Sequence, residues 1–192
     1  MLEPLRSNAL TTVITLDLYE LRDLTSLVGW QLPQLRDLSL AYCGSLVSLR
    51  GVPSGLTRLH CYNCTALTLE GVAAAGLSRL ISLGFQLCHS ITVLEGRSAL
   101  TQLDLSWCCQ LTGLRGLERY CASSLRKLCL KHSPVTSLKP LAQCGFTSLS
   151  ELDLKDCTRL TSPEGLASLP ALVTLDLRDC ARLDVPALLA LS

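Results

Sequence analysis

The sequence predicts an α/β fold: a right-handed, arc-shaped solenoid. One parallel sheet lines its concave face, and short helices, 3₁₀ turns and irregular segments form its convex face. Three observations lead there. Leucine supplies 47 of the 192 residues while aromatics make up only 4%, and a bias that narrow marks one packing position used repeatedly. A twelve-residue pattern, L-x-x-L-x-L-x-x-C-x-x-L, returns eight times at intervals of 20 to 25 residues. Inside each copy, x-L-x-L-x alternates with period two, as a strand buried on one side does.

The copies begin at Val13, Leu35, Leu56, Leu80, Leu100, Leu125, Leu149 and Leu172. VITLDLYELRDL opens the series with Leu21 in the ninth place. LRDLSLAYCGSL, LTRLHCYNCTAL, LISLGFQLCHSI and LTQLDLSWCCQL follow, each with a ninth-place cysteine. LRKLCLKHSPV is one residue short and puts Ser133 there; LSELDLKDCTRL and LVTLDLRDCARL restore the cysteine. Each copy predicts one short strand whose leucines point inward and whose third, fifth and seventh residues point outward. About a dozen further residues must return the chain so that the next strand lies parallel to the last. LEGVAAAGL (69–77) and LRGLERYCASSL (114–125) read as one- or two-turn helices. Pro53, Pro134, Pro140, Pro163 and Pro170, with Gly51 and Gly55, break the other return segments into turns.

The motif and its period resemble those of the leucine-rich repeat family across the whole chain. The ninth-place cysteine followed by two residues and an apolar one is similar to the cysteine-containing intracellular class. That resemblance implies a binding surface rather than an enzyme. It brings in the substrate-receiving arms of F-box ubiquitin-ligase adaptors and architectural subunits of ciliary or cytoskeletal assemblies. The adaptor reading needs a helical recruitment module ahead of the repeats, and residues 1–12 are not expected to form one.

The chain reads as a single domain, 1–192, made of a half-repeat (1–12) and eight repeats. Residues 2–13 match 138–149, and residues 183–192 match 160–169. Neither end carries an atypical polar cap, although a terminal coil leaves a sheet edge and apolar surface open. A longer parent protein, a cap supplied by a partner through end-to-end contact, or partial capping by the half-repeats would each resolve this.

Charge excludes some partners. Seventeen Lys and Arg against sixteen Asp and Glu leave +1, which gives no general pull toward nucleic acid. No apolar run approaches the roughly 18 residues that a membrane-spanning helix needs. MLEPLRSNAL has neither the basic nor the apolar region of a signal peptide. Together with eleven cysteines this predicts a reducing, intracellular and cytoplasmic setting.

The resemblance implies that the ninth-place cysteines (Cys43, Cys64, Cys88, Cys108, Cys157, Cys180) turn inward as a buried ladder. There they would pack as small hydrophobes and meet turn backbone that lacks partners. Cys61 and Cys64 form a C-x-x-C, but no second pair at zinc spacing exists, so no metal site is predicted. Cys129 falls on an outward strand position between Lys127 and Lys131, which makes it the candidate reactive thiol. His60, His89 and His132 pair with no nucleophile at recognisable spacing. The outward acids Asp17, Asp104, Asp153 and Asp176 recur with the repeat, and there is no phosphate loop. Neither catalysis nor a cofactor is expected.

Function is therefore expected on the outward sheet face, about 34 Å across eight strands. Position seven holds Tyr19 and Tyr62; position eight, where the strand ends and the side chain turns partly away, holds Tyr42, Trp107 and His132. His60 joins them, while Lys131, Lys155, Asp176 and Arg178 give the later repeats a mixed charge. Large rigid aromatics on a polar face anchor protein partners, and charges select among them.

Overall fold

The computed structural model describes residues 10–68, 77–88, 100–114 and 123–191. Residues 69–76 and 115–122 of the two expected helical stretches lie outside these. So do residues 1–9 of the N-terminal half-repeat, and His89.

Each repeat contributes one three-residue strand, at template positions three to five. These are β1 (Thr15–Asp17), β2 (Asp37–Ser39), β3 (Arg58–His60) and β4 (Ser82–Gly84). The series continues with β5 (Gln102–Asp104), β6 (Lys127–Cys129), β7 (Glu151–Asp153) and β8 (Thr174–Asp176). They form one parallel sheet in chain order. The register sets leucine against leucine from Leu16 and Leu38 through to Leu152 and Leu175. Behind the sheet, the inward leucines of the middle repeats are fully buried, with Phe85 and Phe146 as the bulkiest buried side chains. Burying each leucine contributes about 2 kcal/mol.

Pairing runs on beyond the short strands. The N–H of position six donates to the position-five carbonyl of the next repeat, as from Leu40 to His60 and from Phe85 to Asp104, both at 2.8 Å. The N–H of position eight donates to the next position-seven carbonyl, as from Tyr42 to Tyr62 (2.8 Å) and from Trp107 to Lys131 (2.7 Å). To make this second bond and still turn inward, position eight adopts a left-handed backbone in every repeat. Its φ is +62° at Glu20, +62° at Tyr42, +58° at Leu87 and +63° at Trp107, with Asn63, His132, Asp156 and Asp179 alike. The position-nine N–H then closes the turn on the position-six carbonyl, as from Cys43 to Leu40 at 3.1 Å.

The ninth side chain completes the joint between coils. Cys43 Sγ donates to the Leu18 carbonyl (3.3 Å), Cys64 to Leu40 (3.0 Å), Cys88 to Cys61 (2.8 Å) and Cys108 to Phe85 (3.1 Å). Ser133 Oγ makes the same bond to Leu105 at 3.0 Å, and Cys157 and Cys180 reach Leu130 and Leu154 at 3.1 Å. In every case the donor serves the coil before its own. Leu21, in the first repeat, has no donor to offer. Burial pushes the Cys43 thiol up to about 11 and those of Cys108 and Cys157 up to about 12. Cys61, fully buried beside Cys64, is raised for the same reason.

On the return side, Pro140 starts α1 (Lys139–Cys144), and Gly145 ends it in a left-handed cap at φ +65°. A 3₁₀ turn spans Leu166–Ser168. Helix α2 (Val185–Leu189) is capped by the Asp184 carboxylate, which accepts from the Ala187 N–H at 3.0 Å. Gly165, at φ +106°, lets this side stack tightly: a β-carbon there would lie 2.1 Å from the Leu138 carbonyl oxygen. The last coil is open. Leu175 is 37% exposed, whereas its neighbour in register, Leu152, is 1% exposed. Val173, Val185, Leu189 and Leu191 are exposed as well.

Candidate binding face

The strand residues that alternate with the buried leucines point away from the core, so the sheet presents the columns of positions three, five and seven. Position eight flanks them at the turn. These four columns hold nine acids and five lysines and arginines, a net charge of −4. The rest of the chain holds seven acids and twelve lysines and arginines, a net +5. The near-neutral whole therefore conceals an acidic face, which the overall count of +1 does not reveal.

Nine of the ten expected site residues fall into three groups. Tyr19, Tyr42 and Tyr62 form a continuous strip over repeats one to three. Successive ring centroids are 5.1 Å apart, at interplanar angles of 61° and 55°. The hydrogen bond with Tyr62 raises the Tyr42 phenol above its ordinary range. Tyr19, at the end of the strip, is 59% exposed.

Trp107 and His132 form the second group. Their rings stack at 3.5 Å and 16°, and Trp107 is 47% exposed. His132 Nε2 lies 3.2 Å from Asp156, which Lys155 approaches at 3.8 Å. The left-handed backbone at position eight aims these side chains along the turn edge of the sheet.

The third group is charged and internally paired. Lys131 contacts Asp153 at 2.9 Å, and Arg178 Nε donates to Asp176 at 2.9 Å. Hydrogen bonds from the Arg178 side chain and from its backbone N–H hold the Asp176 carboxyl down to about 2. Such exposed pairs contribute little to stability, at most about 1 kcal/mol each.

His60 joins none of these groups. It flanks a depression of about 250 Å³ over β4, a feature that sequence reasoning missed. Its floor is Gly84, where the outward column lacks a side chain. A β-carbon there would meet Gln86 Oε1 at 3.0 Å and His60 Nδ1 at 3.2 Å. The far wall is Asp104, which accepts from Gln86 Nε2 (2.8 Å), the Ser106 N–H (2.9 Å) and Ser106 Oγ (2.6 Å). The available signal was the glycine itself, since a glycine inside a strand often marks a close approach.

Two expectations need correcting. Cys129 does sit on an outward position, but it is only 7% exposed, and its Sγ lies 3.1 Å from Ser106 Oγ. Burial raises its thiol, and the Asp104 and Asp153 carboxylates add to the rise despite the nearby lysines. It is not an activated nucleophile. Ser106 itself is 4% exposed, covered by the side chains around it rather than open to water.

No family model matches the chain. It is 26% identical over 135 residues to the disease resistance protein RRS1 of Arabidopsis thaliana; the match covers 70% of this chain and 9% of that protein. Among solved structures it is similar to internalin C2 of Listeria monocytogenes, at 23% identity and a TM-score of 0.48, with 96% of this chain and 70% of that one covered. A TLR13–ssRNA13 complex aligns at 16% identity and a TM-score of 0.27, covering 89% of this chain and 44% of that one. The fold rests on the chain's own geometry. Eight copies of the repeat, with Val13, Cys61 and Phe85 as apolar replacements for its leucines, each give one strand to a single in-register parallel sheet with its apolar side chains stacked behind it, and make this chain a leucine-rich repeat solenoid.

Proposed function

We propose that the chain is a non-catalytic scaffold that takes a protein partner on the outward face of its sheet. The observation that carries this reading is the pair of aromatic clusters, Tyr19–Tyr42–Tyr62 and Trp107–His132, displayed on an otherwise polar face. Exposed rings set among charges supply the desolvated anchors that dominate protein interfaces, and the paired charges around them restrict which partners fit. A face of net charge −4 disfavours a polyanion and so supports protein over nucleic acid. The ninth-place thiols must keep their protons to donate as they do, which supports residence in a reducing compartment such as the cytoplasm.

The test is a triple substitution, Tyr19→Ala, Tyr62→Ala and Trp107→Ala, compared with the parent chain in capture from native lysate. Specific capture should be lost while the circular dichroism spectrum and the unfolding midpoint stay close to those of the parent. Undiminished capture moves the site to the return side or the open coil.

A further inference from the structure

Resting on that reading, we propose that the partner segment is basic, and that one of its arginine side chains enters the depression over Gly84 and pairs with Asp104. Three observations converge on this class of ligand. The first is shape: Gly84 interrupts the outward column between His60 and Asp104 and opens a recess of about 250 Å³ on a face otherwise filled by side chains. That volume admits one long side chain and not a folded element.

The second is the chemistry of the walls. Among the described residues, the donors bonded to Asp104 are neutral ones, Gln86 and Ser106. Among the described residues no Lys, Arg or His nitrogen lies within ion-pair distance of it. The two lysines at the far rim are already occupied, Lys127 by Glu151 at 2.8 Å and Lys131 by Asp153 at 2.9 Å. An incoming anion would have to displace one of those carboxylates, whereas a cation meets Asp104 without displacing any ionic partner. Gln86 spends its amino group on Asp104 and leaves Oε1 over the Gly84 floor as a second acceptor. A guanidinium, planar and with five donors, can meet a carboxylate and an amide oxygen together; a lysine ammonium has neither the reach nor the fork.

The third is the surrounding field. The outward columns carry −4 while the rest of the chain carries +5, so this face is the part of the chain whose charge favours a basic segment. The depression runs over repeats three to seven, starting at the repeat where the tyrosine strip ends and passing through the two repeats that carry the Trp107–His132 stack. An extended segment crossing the sheet would touch all three.

The experiment is an amide-resolved NMR titration of the full chain with two synthetic probes, acetyl-(Arg-Ala)₄-amide and acetyl-(Glu-Ala)₄-amide. The arginine probe should shift the amides of residues 82–86 and 102–106, and the glutamate probe should leave them in place. Asp104→Asn should weaken the arginine probe about tenfold. Gly84→Leu fills the recess and should abolish the localised shifts. The leucine is tolerated by the fold, because its β-carbon meets only the ends of two flexible side chains. Gly84→Ala serves as the milder filler and should weaken the probe less. Binding of the glutamate probe at these residues, no localised shift with the arginine probe, or indifference to both Asp104→Asn and Gly84→Leu overturns the proposal. The broader reading fails separately, through undiminished lysate capture by the triple aromatic variant. A chain whose capture needs those aromatics but ignores Gly84→Leu keeps the scaffold and loses the arginine pocket.

Discussion

Glu20 gives the cleanest access to what the left-handed turn residue costs. It is exposed, its φ is +62°, and its side chain makes a surface ion pair with Arg22. For a non-glycine residue that conformation costs roughly 1–2 kcal/mol, because Cβ crowds the following carbonyl; asparagine tolerates it through local hydrogen bonding. Glu20→Ala and Glu20→Asn both remove the ion pair, so their difference isolates the backbone contribution. Asparagine should be the more stable of the two by about 1 kcal/mol, equivalent to about 2–4 °C in Tm for a chain of this size. The same two substitutions at Arg22, whose backbone is not left-handed, should show no advantage for asparagine. Urea denaturation followed by circular dichroism measures all four variants. Equal stability of the two Glu20 variants, or the same asparagine advantage at Arg22, would refute the claim that strain at position eight is the cost of joining one coil to the next.

Other consequences can be measured on the same chain. A rise from 9.0 to about 12 lowers the thiolate fraction of Cys108 about a thousandfold, so exposed Cys109 should alkylate long before its neighbour. These raised thiols contribute stability that is fully present below about pH 9, the unfolded value, and is lost as the pH climbs toward 12. The urea midpoint should therefore fall between pH 9 and pH 10.5. Gly165→Ala should destabilise by about 2 kcal/mol or more, because it combines a forbidden φ with a backbone clash. Leu152→Ala should cost about 3 kcal/mol and Leu175→Ala only about 1 kcal/mol, in keeping with their burial. Equal costs would mean that another surface covers the eighth coil in solution.

The solenoid was legible because two independent regularities agree. Period-two leucines specify a strand, and a fixed return of 20 to 25 residues specifies that the strands lie parallel and side by side. The inward turn of the ninth residue was an implication of the resemblance to leucine-rich repeats. Its partner was not, because a carbonyl one coil back leaves no trace in side-chain identity. The left-handed eighth residue was hidden for a related reason. Asn63, His132, Asp156 and Asp179 suit that backbone, but Tyr42, Leu87 and Trp107 do not advertise it. There the demand comes from pairing with the next coil and overrides local preference.

The binding face was half legible, and the reason lies in what a column of letters records. Reading outward positions one at a time found the rings and the charges, since each carries its own chemistry. It gave no account of what neighbours do to one another. Cys129 was read as exposed from its alternation alone, yet Ser106 and the charged side chains around it cover the thiol. Lys131 and Asp153 each add a charge to the mixed-charge repeats, but their letters do not show that the two pair across strands. Gly84 was passed over because it has no side chain to count, although that gap makes the recess and leaves Asp104 facing it. On a repeat surface, specificity comes from departures from the repeat. A position that breaks its column carries more information about a ligand than one that continues it, and Gly84, among acids, Ser39, His60 and Cys129 at position five, breaks its column by leaving it empty.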